Sequence, residues 1–156
     1  MIVILREATS NDLELVLAWR NNPLIWQGLY QQSRENRPLT WEEHYNWWHS
    51  RYNWKTFIIQ LNDNITTRDI GYISISQLDY WSPEIGLSIG ETTLWGRGIG
   101  KQALTLGTQW VREKGYKYTS TTILDNNERS KALFLSLGYE RIAGARPEES
   151  LYRKKL

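Results

Sequence analysis

Three glycines at every second position, Gly96, Gly98 and Gly100, are the feature that most constrains how this chain folds. They lie in the segment LSIGETTLWGRGIGKQAL, Leu87–Leu104, where a strand-like apolar run precedes them and a run with helical spacing follows them. The first turn of a helix has backbone N–H groups without partners and the positive end of the helix dipole, and glycine lets an anion approach that backbone closely. The sequence therefore predicts a strand, a tight loop and a helix whose N-terminus can bind a phosphate group.

Three kinds of phosphate ligand use loops of this type. The dinucleotide loop G-x-G-x-x-G requires a glycine where this chain has Lys101, and it belongs in the first β-α turn of its fold. The nucleoside triphosphate loop G-x-x-x-x-G-K-[ST] requires a glycine at Trp95 and a Ser or Thr at Gln102. The third ligand is the pyrophosphate of coenzyme A, for which Arg97 and Lys101 supply positive charge. A glycine-rich turn without a ligand is the remaining alternative.

A second block of residues lies about 30 positions downstream and starts another helix. The pattern N-x-x-[AS]-x-x-x-[YF]-x-x-x-G-[FY] is filled by Asn127, Ser130, Phe134, Gly138 and Tyr139. With this block and the loop over residues 95–100, the chain resembles the GCN5-related N-acetyltransferase (GNAT) superfamily, whose pyrophosphate loop reads R/Q-x-x-G-x-G/A. Trp95 stands here in place of the usual Arg or Gln, and the resemblance is sharp over residues 84–139.

The predicted elements follow the order β-α-α-β-β-β-α-β-α-β-β. With the resemblance, this order predicts an α/β (α+β) fold in a single acetyltransferase domain over residues 1–156. We expect a central mixed, mostly antiparallel sheet of about seven strands, flanked by about four helices. The resemblance implies that two parallel strands splay apart in the middle at a β-bulge. Pro23 is predicted to end the first helix, and residues 24–38 to form a loop or a broken helix.

The resemblance implies a binding site for acetyl-CoA, which would serve as a co-substrate. Its thioester arm is expected between the splayed strands, against Leu87, Ser88 and Ile89. Its pyrophosphate is expected at the glycine loop and the helix after it, against Arg97, Gly98, Ile99, Gly100 and Lys101. The downstream helix is expected to contribute Asn127, Ser130, Lys131 and Phe134. Helix capping is the alternative role for Asn127 and Ser130.

Acyl transfer to an amine requires a group that removes a proton from the ammonium form. Glu84 is the candidate base, because histone-acetylating members of the superfamily place their glutamate at the same separation from the glycine that matches Gly98. The alternative for Glu84 is a strand-end residue that faces solvent or a structural arginine. Phe134 stands where many members have the tyrosine that protonates the leaving thiolate, so the sequence identifies no general acid. A module that binds acyl-CoA without turnover is therefore left open.

The acceptor is predicted from the stretch LAWRNNPLI, Leu17–Ile25. It resembles the W-R-N-x-P stretch of amino-sugar-nucleotide N-acetyltransferases of the pseudaminic-acid type, which implies a nucleotide-linked amino sugar as the amine. The implied contacts are Arg20, Asn21, Tyr30 and, from the adjacent tryptophan pair, Trp48. A helix-end role is the alternative for Arg20. Protein α-amines, aminoglycosides and polyamines are the other acceptors left open, although polycations would favour an acidic pocket, for which the sequence gives little sign.

Composition excludes several classes of function. The chain has no cysteine, which removes disulfides, thiolate nucleophiles and Cys-based zinc sites. Its 19 basic and 17 acidic residues do not give the balance of a nucleic-acid-binding protein. His44 and His49 lack the i, i+4 spacing of paired ligands, so no metal is expected. Without a membrane-length apolar run or a secretory signal, the expected location is the cytoplasm, and the nine tryptophans leave a homodimer open.

Overall fold

The computed structural model describes residues 1–50 and 52–156. Its strands are β1 (Ile2–Glu7), β2 (Lys55–Asn62), β3 (Thr67–Ser76), β4 (Glu84–Ile89), β5 (Tyr118–Leu124), β6 (Glu140–Gly144) and β7 (Glu149–Lys155). They form one seven-stranded sheet in the order β1-β2-β3-β4-β5-β7-β6. Neighbouring strands run antiparallel except for β4 and β5 in the middle. The predicted α/β fold with a mixed, mostly antiparallel sheet is confirmed.

Six α-helices surround this sheet within the described residues. They are α1 (Leu13–Arg20), α2 (Pro23–Trp26), α3 (Tyr30–Glu35), α4 (Trp41–His49), α5 (Ile99–Glu113) and α6 (Glu128–Ser136). Two short 3₁₀ turns precede α1 and α5, at Ser10–Asp12 and Thr92–Leu94. In the described residues no helix has both the length and the apolar character that a membrane crossing requires.

Two of these helices, α2 and α3, lie where the sequence predicts a loop or a broken helix. Pro23 starts α2 instead of only ending α1, because proline suits the first position of a helix. Asn22 caps α2 by accepting the Leu24 N–H at 3.0 Å through its side-chain oxygen. Helices of four and six residues contain too few turns for a 3.6-residue apolar repeat, which explains why periodicity does not reveal them.

Each face of the sheet has its own apolar core, because neighbouring residues of a strand point to opposite faces. Ile59 and Ile73 pack in the cluster that includes Ala103 of α5. Ile58 packs in the other cluster, which includes Val16 of α1. Helices α1 and α5 therefore cover opposite faces of the sheet.

The two parallel strands are held together at one end only. Glu84 of β4 pairs with Ser120 of β5, and this is the one paired position between the two described strands. The Ser120 N–H also donates to the carbonyl of Pro83 at 2.9 Å. In contrast, β5 pairs with β7 along its whole length. The cleft expected between splayed parallel strands is therefore present beyond Glu84.

A β-bulge does not produce this cleft, which corrects the expectation from the sequence. The register between β3 and β4 runs without a shift from Ser76 opposite Glu84 to Gly71 opposite Ile89. Among the described strands, the register shifts lie in the β2–β3 and β6–β7 pairs. The splay follows from the early end of β4–β5 pairing, while β4 stays fully attached to β3.

Candidate active site

The cleft between β4 and β5 opens into a cavity of about 910 Å³, which is large enough for a cofactor and a small substrate. One wall, here called the loop wall, consists of β4, the glycine loop and the starts of α5 and α6. The opposite wall, here called the helix wall, comes from the segment α1–α4. The loop wall includes Leu87, Ser88, Ile89, Gly98, Gly100, Lys101, Asn127, Arg129, Ser130 and Phe134. The helix wall includes Arg20, Tyr30, Gln32, Leu39, Glu43 and Trp47.

The backbone conformation of the loop requires glycine at two positions. Gly96 and Gly98 both have a φ of +79°, in the left-handed region that L side chains rarely adopt. A Cβ atom at either position would meet no atom within 4 Å, so the space beside the loop is open. Gly98 is the N-cap of α5, and no side chain in the described part of the chain caps this helix start. The first amides of α5, over residues 99–101, are therefore suited to bind a pyrophosphate group.

Side chains near the glycine loop differ in whether they can contact a pyrophosphate bound there. Lys101 is exposed and lines the cavity, whereas Arg97 is exposed but lies outside the lining. The Ile99 side chain is only 1% exposed and packs in the core, so this residue offers its backbone N–H alone. The predicted pyrophosphate contacts thus lie together, mainly as backbone groups.

A tryptophan and an arginine extend the loop wall. The Trp95 indole N–H donates to the carbonyl of Ile89 at 3.0 Å, which joins the loop to the end of β4. The guanidinium carbon of Arg129 lies 3.3 Å from the centroid of the Trp95 ring. Burial lowers the pKa of Arg129, and no described carboxylate forms an ion pair with it. Arg129 is therefore a cation of the cavity that the sequence analysis did not identify.

The start of α6 combines helix capping with cavity lining. The Ser130 N–H donates to the side-chain oxygen of Asn127 at 3.2 Å, so Asn127 caps the helix. A Cβ added to Gly28 would lie 2.9 Å from the Asn127 amide nitrogen, so Asn127 also reaches the helix wall. Lys131 forms an ion pair with Glu128 at 2.8 Å and lies outside the cavity lining.

Phe134 contributes apolar surface at the inner end of the cavity. It is 2% exposed, and its ring packs edge to face against Tyr139 at a centroid distance of 4.9 Å. The Tyr139 hydroxyl is hydrogen-bonded to Thr108 at 2.9 Å, and burial raises the pKa of Tyr139. Tyr139 is thus a core residue that does not line the cavity.

Glu84 lies at the closed end of the cleft. Its carboxylate accepts hydrogen bonds from the Thr122 hydroxyl at 2.7 Å and from the Gln77 amide at 3.3 Å. No arginine among the described residues forms an ion pair with it. Glu84 itself lies outside the cavity lining, but Thr122 lines the cavity and so does Gly86, where a Cβ would meet no atom within 4 Å. Glu84 is therefore connected to the cavity through the Thr122 hydroxyl and the open space beside Gly86.

The helix wall contains a half-buried cation, Arg20. The Arg20 Nη1 atom lies 3.1 Å from His44 Nδ1, and its guanidinium carbon lies 4.2 Å from the centroid of Trp47. The His44 Nε2 atom lies 2.8 Å from the carbonyl oxygen of Leu13. Because a carbonyl oxygen only accepts, Nε2 carries the proton and Nδ1 accepts from Arg20. Burial lowers the pKa of Arg20.

Of the other residues predicted to contact the acceptor, only Tyr30 lines the cavity. Asn21 hydrogen-bonds both backbone groups of Leu39, at 3.0 Å and 2.8 Å, and lies outside the cavity lining. Trp48 also lies outside the lining. Tyr30 lines the cavity, and Arg146 from the β6–β7 turn lies over its ring at 3.7 Å. This contact joins the helix wall to the far end of the sheet.

Among the described lining residues the charged side chains are mostly basic: Arg20, Lys101, Arg129 and Arg146, the last of which is paired with Glu149, against one acidic residue, Glu43. Glu43 accepts hydrogen bonds from Arg37 at 2.8 Å and 2.9 Å and from the Thr40 N–H at 3.0 Å. These bonds, those of Arg37 first, lower the pKa of Glu43 to about 2. Glu43 therefore stays ionised but already has partners, and the cavity is suited to an anionic ligand.

A family model described as an acetyltransferase (GNAT) domain matches residues 3–140. The chain belongs to the GNAT acetyltransferase family. The family predicted from the glycine loop and the downstream block is thereby confirmed.

Two matches are nearly half identical to this GNAT domain over the aligned residues. An uncharacterized protein of Methanocaldococcus jannaschii is 46% identical over 154 residues, which cover 99% of this chain but 31% of that protein. The chain thus spans about a third of the length of this curated relative. A crystal structure of a domain from the same organism has 46% identity and a TM-score of 0.95, and the match covers 99% of both chains.

More distant structures resemble the fold. An aminoglycoside acetyltransferase, AAC(6')-Ib in complex with coenzyme A, has a TM-score of 0.79 at 17% identity, covering 99% of this chain and 95% of the other. Spermidine N-acetyltransferase from Vibrio cholerae, in complex with CoA and spermine, has a TM-score of 0.79 at 13% identity, covering 97% of this chain and 92% of the other. At these identities the likeness concerns the fold and leaves the acceptor of this chain undecided.

The GNAT fold brings most of the predicted site residues to one cavity and leaves others outside it. The predicted residues outside the lining are Asn21, Trp48, Glu84, Arg97, Ile99 and Lys131. The lining residues that the sequence analysis missed include Gln32, Thr122, Arg129 and Arg146. Arg129 lies inside the downstream motif, at a variable position on the first turn of a helix, and this position could have identified it as a lining residue. Gln32 and Arg146 reach the cavity through tertiary packing, so no local pattern marks them.

Proposed function

We propose that residues 1–156 form a single GNAT domain that transfers the acetyl group of acetyl-CoA to the primary amine of a nucleotide-linked amino sugar. The observation that carries acetyl transfer is the half-paired β4–β5 cleft, which leads to a left-handed glycine loop at the uncapped start of α5. The single domain is supported by one sheet that includes both the first and the last strand. CoA complexes of structures with the same fold support the choice of acyl donor.

The loop wall fits acetyl-CoA in two places. The amides at the start of α5 and the Lys101 side chain would hold the pyrophosphate, because glycine at positions 96 and 98 keeps the approach open. The edge of β4 over residues 87–89, which β5 does not pair with, would pair with the amide-bearing arm of the coenzyme. Acetyl-CoA supplies a thioester carbonyl that an amine can attack.

Glu84 would act as the base that deprotonates the incoming ammonium, with Thr122 or a water molecule as the connecting group. Negative charge that develops on the attacked carbonyl oxygen would be stabilised by a backbone N–H on the open edge of β4, near Ile89. Phe134 offers no proton, so the departing thiolate would be protonated by solvent. These roles require the amine to enter from the helix wall.

The charge of the cavity supports a nucleotide-linked acceptor. Four of the described lining residues are basic, although Arg146 is paired with Glu149, and the one acidic residue among them is paired with Arg37. A nucleotide-linked sugar carries a negatively charged diphosphate, which these cations would attract, whereas aminoglycosides and spermine are polycations that they would repel. The W-R-N-x-P stretch that contains Arg20 supports the same choice.

The proposal is tested by incubating the protein with acetyl-CoA and a panel of amines while free thiol is followed. The panel contains UDP-linked 4-amino sugars, an aminoglycoside, spermine and a peptide with a free N-terminus. We expect thiol release with the UDP-amino sugars, and mass spectrometry should show the gain of one acetyl group on the sugar. Binding of CoA without thiol release for every amine would instead support a non-catalytic binding module.

A further inference from the structure

Arg20 on the helix wall carries a half-buried charge that forms no hydrogen bond or ion pair with a described carboxylate, although the charge of Glu43 acts on it through space. Its hydrogen-bond partner is His44 Nδ1, an uncharged acceptor at 3.1 Å. Glu43, the acidic residue of the lining, is hydrogen-bonded to Arg37 and the Thr40 amide instead. A buried charge is costly unless it is paired, so the guanidinium group is suited to receive an anionic partner from the cavity.

Gln32 provides a second, independent sign of a ligand on the same wall. Its side-chain N–H donates to the backbone carbonyl of Arg20 at 3.0 Å, and this bond fixes which end of the amide is the nitrogen. The residue is 3% exposed, and its Oε1 atom is the one buried side-chain acceptor in the described residues that has no hydrogen-bond partner. Native proteins leave few such atoms unpaired, and each costs stability.

The two groups have complementary requirements. Arg20 can only donate hydrogen bonds, and the Oε1 atom of Gln32 can only accept them. A single ligand satisfies both if it presents an anionic oxygen to Arg20 and an O–H or N–H group to Gln32. A phosphorylated sugar or nucleoside has this combination, whereas a polyamine lacks the anionic oxygen.

We propose that Arg20 and Gln32 form an anion subsite, which selects amine acceptors that carry a phosphate oxygen next to a hydroxyl or N–H donor. Trp47 would hold the guanidinium plane in place, since it lies over Arg20 at 4.2 Å, and His44 would orient it. The subsite rests on the proposed function, because acetyl transfer is the reaction for which it selects the acceptor. It makes Gln32 a residue that determines specificity.

The subsite is tested by calorimetric titration with uridine diphosphate in the presence of saturating CoA, which occupies the loop wall. We expect the wild-type protein to bind the probe and Arg20→Met to weaken that binding at least tenfold. Arg20→Lys keeps the charge but not the planar fork, so it should fall between the two. Gln32→Glu places a negative charge beside Arg20 and should also weaken binding, while the affinity for CoA stays the same in every variant.

Arg34→Met is the matched control, because Arg34 is an exposed arginine on the same helix as Gln32 and lies outside the cavity lining. It should leave the affinity for uridine diphosphate within about twofold of the wild type, since an exposed charge is screened by salt. Equal losses in Arg34→Met and Arg20→Met would show a general charge effect and overturn the subsite. Failure of the wild-type protein to bind uridine diphosphate, inorganic pyrophosphate and glutamate alike would overturn it as well.

The outcomes also separate this inference from the proposed function. If CoA binds and Arg20→Met loses the probe, but no UDP-amino sugar is acetylated, the subsite stands and the nucleotide-linked acceptor is wrong. Arg20-dependent binding of glutamate without binding of the phosphate probes would identify a carboxylate as the anion and overturn its assignment to phosphate. If CoA does not bind, acetyl transfer fails, while the difference between Arg20→Met and Arg34→Met in a titration with uridine diphosphate alone still decides the subsite.

Discussion

The two walls of the cavity are built in different ways. The loop wall presents mainly backbone groups of consecutive residues, at the left-handed glycines and the first turn of α5. The helix wall presents side chains from four separate helices, such as Arg20 of α1 and Gln32 of α3. A backbone site suits a ligand whose phosphate and amide groups are always the same, whereas a side-chain site can be changed one residue at a time. The comparison indicates that the loop wall determines the reaction and the helix wall determines the acceptor.

The largest effect is expected at Glu84. If catalysis did not depend on this residue, the assignment of the reaction to the cleft and the loop wall would fail. Glu84→Gln keeps the size of the side chain but removes the base, so kcat should fall by about 10²–10⁴-fold. The KM values for acetyl-CoA and the amine should change little, because Glu84 lies outside the cavity lining. Steady-state kinetics over a range of pH measures both quantities.

Gln77→Leu is the control for this variant, because it removes the other hydrogen bond to the Glu84 carboxylate and leaves the base in place. It should retain most of kcat. Unchanged turnover and an unchanged basic limb of the pH profile in Glu84→Gln would remove Glu84 from the mechanism.

The second effect concerns the backbone of the loop wall. Gly98→Ala introduces a side chain at a φ of +79° and partly covers the amides of α5, so the Kd for CoA should rise about tenfold or more. Gly115→Ala is the matched control, since Gly115 has a φ of +94°, open space for a Cβ and a position at the other end of α5. Both variants should lose about 1–2 kcal/mol of stability from the strained residue.

Calorimetry with CoA and thermal unfolding separate the two contributions. If both variants bind CoA as well as the wild-type protein does, the amides of this loop do not hold the pyrophosphate. If both lose affinity to the same extent, the loss comes from stability alone.

A smaller effect is expected at Asn21 on the helix wall. Asn21→Ala removes two hydrogen bonds to the backbone of Leu39, a lining residue, so the free energy of unfolding should fall by about 2 kcal/mol. The KM for the amine should rise because Leu39 shifts, whereas the Kd for CoA should stay constant. Chemical denaturation and CoA titration measure these effects. A larger change in CoA affinity than in acceptor KM would contradict the separation of the two walls.

The smallest effect concerns pH and the exposed Glu43–Arg37 pair at the start of α4. The pKa of Glu43 is about 2 in the folded chain and 4.5 without the pair, so ionised Glu43 favours the folded state above pH 4.5. That contribution is lost as the pH falls from 4.5 towards 2. The thermal midpoint should be flat from pH 7 to 5 and fall below 4.5, and Glu43→Gln should reduce this fall slightly. An equal fall in both proteins would remove Glu43 from the acid response.

The same contrast explains what could be predicted from the sequence. The glycine loop and the Asn127 cap are local patterns, and the structure has each of them where the sequence indicated. The half-paired strands were expected only from the family resemblance. The sequence of a strand does not determine where its pairing with a neighbouring strand ends.

The missing part of the prediction lies mainly on the helix wall. Asn21 follows Arg20 directly, yet it bonds Leu39, which stands 18 residues further along the chain. Gln32 lies in a six-residue helix without an apolar repeat, and its unpaired oxygen is visible only once α1 and α3 have packed together. Contacts of this kind depend on the packing of short helices, which propensity and periodicity do not specify.

The central claim is that the β4–β5 cleft and the start of α5 hold the acyl donor through backbone groups. Backbone amide NMR during a titration with CoA tests it most directly. We predict that the largest shifts occur over residues 87–89 and 96–101, with smaller ones on α1 and α3. Saturation without shifts in these two segments, or the largest shifts on the helix wall, would contradict the claim.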